Sequence, residues 1–508
     1  MENYQCNASS GSHSWRSNSC TGTSEKKVQT FTGIRKLLGW VLILFFSCTP
    51  AFRENFEPSV QPVEDLQYFK PQEEKYFAGD PMPFFHEGIF HVYWLLDYNH
   101  VPAGHAWAHF STADLQHWTH HPLALTITLP FEKSICTGSV IFHNGLYYAF
   151  YATRTQDNGR TEFVSYAKSS DGISFIKQQP NPLIIAPQEY ESAHFRDPHV
   201  FYDDSSKKFH MLITTALRKA DLEKNRYCLL RYTSKDLIHW TCQGPFYYTG
   251  SDKGFAYPEC PDLFKWNGWY YLLFKIYGGT YYRMSHSLNG PFVAPPSDNL
   301  SNDYAMVLKT APFGEQRRIA VGFIPSRAGN KDDGQWTYGG NLVFRELVQK
   351  ADGTLAAVFC EEMMPAIDSG FHYEVQEEYC VDSPDRFAYY ALKNVPVNAR
   401  IRMKVDPMGP NTSTGMLLRY GERGFYELSF DAAANKVNLG NTSIERVKGL
   451  DVPFEVDVVM KHDIIDVCID RRRCILNRCP EQKGNQLLLF VHNGKVSFKN
   501  LIIEKLKE

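Results

Sequence analysis

The stretch Val140-Ile141-Phe142-His143-Asn144-Gly145-Leu146-Tyr147-Tyr148-Ala149-Phe150 decides the architecture. Two apolar runs flank an Asn-Gly pair, the dipeptide best suited to a two-residue hairpin turn. The pattern recurs. It runs Phe84 to Trp94 around Glu87-Gly88, Val200 to Ile213 around Asp203 to Lys208, and Leu263 to Leu273 around Asn267-Gly268. A weaker fifth copy runs from Met306 to Phe323. A second motif keeps step with the hairpins. Ser111-Thr112-Ala113-Asp114-Leu115-Gln116-His117-Trp118 returns as Thr233-Ser234-Lys235-Asp236-Leu237-Ile238-His239-Trp240, and Ser169 to Phe175 holds the same place in the second unit. Repeats of several strands each are what a β-propeller is built from. Five units over residues 75–345 predict five blades, within a domain spanning 70–350.

After Pro365 the rhythm changes. Short strand-like runs follow, among them Ile401 to Val405, Gly415 to Tyr420, Tyr426 to Phe430, Val456 to Met460 and Leu487 to Val491. None has a helical period, so residues 370–508 read as a β-sandwich. The fold class expected is all-β: a five-bladed β-propeller followed by a C-terminal β-sandwich. The chain has 508 residues, 43% hydrophobic and 21% charged, with 14% aromatic residues that favour strands. That composition excludes a disordered or collagenous chain. A net charge of -3 supplies no global field for nucleic acid.

Residues 1–33 are polar and Ser/Thr-rich and read as disordered. Arg35 and Lys36 then precede ten residues, Leu37 to Phe46, that are apolar apart from Gly39. The run is too short for a spanning helix and suits a signal-peptide core, so residues 34–52 are expected to direct secretion. A membrane tether through residues 37–52 is the second reading, and either places the protein outside the cytosol. None of the 12 cysteines forms CxxC, which argues against structural zinc. Cys468, Cys474 and Cys479 lie close enough in sequence to pair in an oxidising compartment.

Acidic residues stand just before the first strand of three units: Asp80 in Gly79-Asp80-Pro81, Asp197 in Arg196-Asp197-Pro198, and Glu259 in Tyr257-Pro258-Glu259-Cys260. The first strand of each propeller blade lines the central axis, so these carboxylates should converge from distant points in the chain. Crowded carboxylates repel, and folding does not require them. Glycoside cleavage does: one attacks, one delivers a proton, and a third steadies the sugar.

The strings Phe195-Arg196-Asp197-Pro198 and Glu259-Cys260-Pro261-Asp262 resemble the RDP and EC motifs of glycoside hydrolase family 32, the invertase, levanase and inulinase family. Ser111 to Trp118, Thr137-Gly138-Ser139 and Phe344-Arg345-Glu346-Leu347 resemble three further motifs of that family. The resemblance covers about residues 75–508. It implies a retaining β-fructofuranosidase with Asp80 as nucleophile, Glu259 as general acid/base and Asp197 as transition-state stabiliser. Arg196, Gly138, Ser139, Asp97, Trp107 and Cys260 are the candidate substrate contacts. The family's Asn before the nucleophile is Gly79 here, and its Gln on the next strand is Leu95, so the shell that reads the sugar departs from the pattern.

His105 and His109 have the spacing of a helical zinc pair but lie in strand and loop sequence, and no metal or cofactor is expected. Arg471-Arg472-Arg473 reads as a solvated turn. The partner expected is a small-molecule or oligosaccharide substrate. The rival readings are a different furanosidase, such as an inverting arabinofuranosidase, and a non-catalytic sugar-binding propeller.

Overall fold

The computed structural model describes residues 61–508 except 64–65, 72–74, 99–100, 156–160, 221–225, 251–255, 303 and 482, without the side chains of 61–63 and 101–103. The polar N-terminus and the apolar run at 37–46 lie outside the described residues. Five antiparallel blades follow in chain order. Their innermost strands are Tyr76–His86, Glu132–His143, Arg196–Asp203, Glu259–Trp266 and Met306–Phe313. Blade five closes with Leu355–Val358, past the expected boundary at 350. Gly340 pairs with Ala78, which joins blade five to blade one and completes the ring. Apolar clusters fill the spaces between the blades. Met82, Tyr93 and Trp107 meet Ile135 and Val140, for example, while Leu212 and Leu229 meet Leu263 and Leu272.

The hairpin reading holds at the level of single dihedrals. Asn144 and Gly145 have φ of 50° and 77°, and Asn267 and Gly268 have 46° and 84°. Both central residues are left-handed, as the turn joining twisted strands requires. The second motif is also a turn. The Thr112 hydroxyl accepts the Leu115 N–H at 2.9 Å, and Asp114 Oδ1 accepts the N–H groups of Gln116 and His117. Ser234 and Asp236 repeat the arrangement in blade three, as do Ser169 and Asp171 in blade two. These residues shape turns that connect strands within their blades.

Every innermost strand has a bulge at the same place. From Ala78 to Pro81 the inner strand advances three residues while its partner advances two, from Leu96 to Trp94. The same shift lies between Ile135 and Gly138, Arg196 and His199, Glu259 and Asp262, and Met306 and Lys309. A bulge bends its strand and re-aims its side chains. Asp197, Cys260 and Val307 each open a bulge with φ of 57°, 51° and 54°. For a β-branched residue such as Val307 that conformation is strained by about 1–3 kcal/mol.

The C-terminal domain is one hydrogen-bonded path of strands folded back on itself. The 20-residue strand Gln486–Lys505 is its spine: the first half pairs with Ser413–Gly421 and the second half with Ala399–Pro407. Its interior is apolar, built from residues such as Ile401, Leu428, Val458, Leu489 and Phe498. Cys468, Cys474 and Cys479, close enough in sequence to pair, are buried free thiols. Arg471 is exposed in a turn, as expected, while Arg472 and Arg473 are only partly exposed and Arg473 bonds Ser297 of the propeller, so the run is a solvated turn that ends in a domain contact.

Candidate active site

The bulges bring the three carboxylates of blades one, three and four together. The Cys260 N–H donates to Asp197 Oδ2 at 3.0 Å, and its thiol lies 3.6 Å from Asp80 Oδ2. Arg196 reaches Glu259 Oε1 at 2.6 Å and stands 3.9 Å from Asp197 Oδ2. Within the shared bulge the three acids occupy successive positions. Glu259 precedes the insertion, Asp197 is its first residue and Asp80 its second. They therefore approach the axis at different depths, not in one ring.

Their electrostatics differ accordingly. Burial pushes the Asp197 carboxyl up; Arg196 opposes this, Glu259 and Asp80 add to it, and the result is about 6. Glu259 is also raised by burial, but Lys275 and Arg196 overcome that and hold it down at about 2. Each Glu259 oxygen has its own cation, with Lys275 Nζ 2.6 Å from Oε2. A general acid needs a proton at working pH, so Lys275 and Arg196 hold Glu259 in the form that accepts a proton rather than the one that gives it. Arg196 is itself anchored, by Glu162 Oε2 at 3.1 Å and by His194 Nδ1 at 2.6 Å.

Asp80 is set by its neighbours. The Thr137 hydroxyl donates to Oδ2 at 2.5 Å, and the Asp80 N–H donates to the Tyr338 hydroxyl at 3.3 Å. Tyr338 explains Gly79: a Cβ there would lie 2.5 Å from the tyrosine oxygen. The ring of Tyr338 stacks on His105, with centroids 5.4 Å apart.

Several expected substrate contacts also bind the walls between blades. The Ser139 hydroxyl donates to Pro198 O and accepts the Val200 N–H, both at 2.9 Å, lacing blade two to blade three. A Cβ on Gly138 would sit 1.8 Å from the Phe150 carbonyl oxygen, so glycine is there for strand packing. Trp107 is fully buried and donates its Nε1–H to Cys136 O at 3.0 Å. Asp97 is fully buried and pairs with His105 at 3.0 Å. Burial lowers the affinity of His105 for a proton, but Asp97 and Cys136 more than reverse this and raise it to about 9. Leu95 belongs to the core between blades one and two. Only Arg196 and Cys260 of the expected contacts touch the trio directly. The residues missing from the sequence reading are Thr137, Lys275 and Tyr338. Thr137 was flagged only as part of a motif, and the other two carry no motif at all.

Residues 69–350, more than half of the chain, match the model of the glycosyl hydrolases family 32 N-terminal domain. The chain is 29% identical over 226 residues to the sucrose-6-phosphate hydrolase of Bacillus subtilis (strain 168), covering 42% of this chain and 44% of that protein. It is 32% identical over 254 residues to the levanase of the same organism, covering 46% of this chain and 34% of that one. The alignments thus span less than half the length of these curated relatives. Among solved structures, fructan 1-exohydrolase IIa from Cichorium intybus superposes with a TM-score of 0.66 at 15% identity, over 88% of this chain and 98% of that one. Sucrose-6-phosphate hydrolase from Lactobacillus gasseri gives the same score at 18% identity, over 85% and 91%. Such likenesses bear on the fold alone, which is shared from the first blade into the C-terminal domain, while the match over residues 69–350 shows that this chain belongs to glycosyl hydrolase family 32.

Proposed function

We propose that the protein hydrolyses terminal β-D-fructofuranosyl residues of sucrose or fructan type by a retaining double displacement. The observation that carries this reading is the meeting of Asp80, Asp197 and Glu259 from three blades at one cleft, bridged by Cys260 and Arg196. Names among the relatives, sucrose-6-phosphate hydrolase and levanase, point to the same glycone. Asp80, steadied by Thr137, attacks the anomeric carbon and forms a glycosyl ester. The bond to the leaving oxygen breaks as Glu259 gives that oxygen a proton. Glu259, again a carboxylate, then takes a proton from water, whose oxygen attacks the anomeric carbon and frees Asp80. Asp197 shares the buried cleft with both and is suited to hydrogen-bond sugar hydroxyls. The apolar run within residues 34–52 supports export of the enzyme, with its cleft facing outside the cytosol.

Proton NMR of a sucrose or inulin digest tests the mechanism. The first-formed product is expected to be β-fructofuranose, and Asp80→Asn is expected to abolish turnover while retaining the fold. An inverted first product would replace this reading with that of an inverting furanosidase. No product on any furanoside would favour a sugar-binding propeller.

A further inference from the structure

We propose that Lys275 is a positioning residue that locks Glu259 in the resting cleft and sets the pH range over which Glu259 can protonate a leaving group. The inference rests on the glycosidase reading above. Lys275 lies directly across the blade-four hairpin from Glu259, as its Cα partner in the ladder. That placement is a product of the bulge. Counting back from the Asn267-Gly268 turn in unbroken register would put Ile276 opposite Glu259; the extra residue between Glu259 and Asp262 brings Lys275 there instead. A one-residue shift exchanges the faces of a strand, so without the bulge an apolar side chain would face the acid.

The two cations on Glu259 are not equivalent. Arg196 is fixed from behind by Glu162, which Arg154 also holds, and by His194, so it cannot leave Oε1 without exposing a buried carboxylate. The Lys275 ammonium has one hydrogen-bond partner among the described residues, Oε2 of Glu259 at 2.6 Å, and a flexible four-carbon stem. A leaving-group oxygen can share a proton with Glu259 only if one carboxylate oxygen is released. Lys275 is the group that can move. On its departure Glu259 takes a proton from solvent, passes it to the leaving oxygen as the glycosidic bond breaks, and returns to the carboxylate that Lys275 pairs again. The other charged or titratable groups facing this pair are Asp197, Asp80 and the Cys260 thiol. Both carboxylates oppose the cations, so removing Lys275 leaves Arg196 as the only counter-charge on Glu259 among the described residues.

The test is kcat/KM against pH on sucrose for the intact wild type, Lys275→Met and Lys275→Arg, with thermal melts of each. Loss of the lysine charge is expected to move the alkaline limb upward by about one to three pH units, and the arginine variant is expected to keep the wild-type limb. Lys275→Gln gives the same readout if the methionine variant does not fold. An unmoved limb in a folded neutral variant, beside an active wild type, overturns the lock. A wild type that releases no fructose overturns the glycosidase reading, and the lock with it.

Discussion

Asp197 is a carboxylate that the fold presses against two others in a buried cleft, with its backbone in the left-handed region. Its affinity for a proton is raised to about 6 by burial first, then by Glu259 and Asp80 against the pull of Arg196. The folded chain therefore binds a proton here more tightly than the unfolded one. Stability from this group is complete below about pH 4 and is lost as pH rises through about 6. Asp197→Asn keeps an acceptor for the Cys260 N–H and removes the ionisation. The variant is expected to match wild type near pH 4, exceed it by about 1–3 kcal/mol at pH 8, and hydrolyse no fructoside. Denaturant unfolding at the two pH values, with an activity assay, checks all three.

Blade one shows the opposite dependence across three adjacent strands, where His91, His109 and His121 stack between Tyr93 and the Ser111 hydroxyl. His91 Nδ1 lies 3.0 Å from His109 Nε2, and the His109 and His121 rings are 4.4 Å apart. Burial first, then the neighbouring imidazoles, holds His91 down at about 4 and depresses His109, while burial depresses His121 against the pull of Asp171. In the unfolded chain these rings titrate near 6.5. Stability is thus intact above that value and falls as pH drops toward 4. His91→Asn is expected to flatten this decline by up to about 1.4 kcal/mol per pH unit, read from unfolding free energies between pH 7 and 4.5.

Propeller and C-terminal domain are fastened by a buried ion pair. Arg345 donates to both oxygens of Asp466 at 2.6 and 2.7 Å, and the Tyr68 hydroxyl donates to the same carboxylate at 2.8 Å. Val343 and Val358 pack around it against Val459, Ile464 and Leu476. Removing one partner strands the other charge in an apolar setting. Asp466→Ala is expected to destabilise the protein by about 3–5 kcal/mol, and Arg345→Met with Asp466→Ala is expected to recover most of that loss. A denaturant-unfolding cycle over the four proteins measures the coupling. The arginine of the Phe344-Arg345-Glu346-Leu347 motif is where the propeller joins the next domain.

The repeat, the Asn-Gly turns, the all-β class and the acids of three inner strands were legible in the residues alone, because hairpins and their turns are short-range chemistry written in adjacent positions, although Asp80, Asp197 and Glu259 stand within those strands and not ahead of them. Two classes of fact were not. Ser139 and Trp107 look like cleft residues in a motif or beside one, yet they bind backbone in neighbouring blades, a role set by contacts between segments far apart in the chain. Lys275 and Tyr338 look like ordinary strand residues, yet the bulge turns one onto Glu259, and the close approach of blade five to Gly79 sets the other beside Asp80. A bulge inserts one residue without a fixed signature and exchanges which side chains face the axis. Local pattern thus named the acids, while long-range packing chose their partners and, through those partners, their charge.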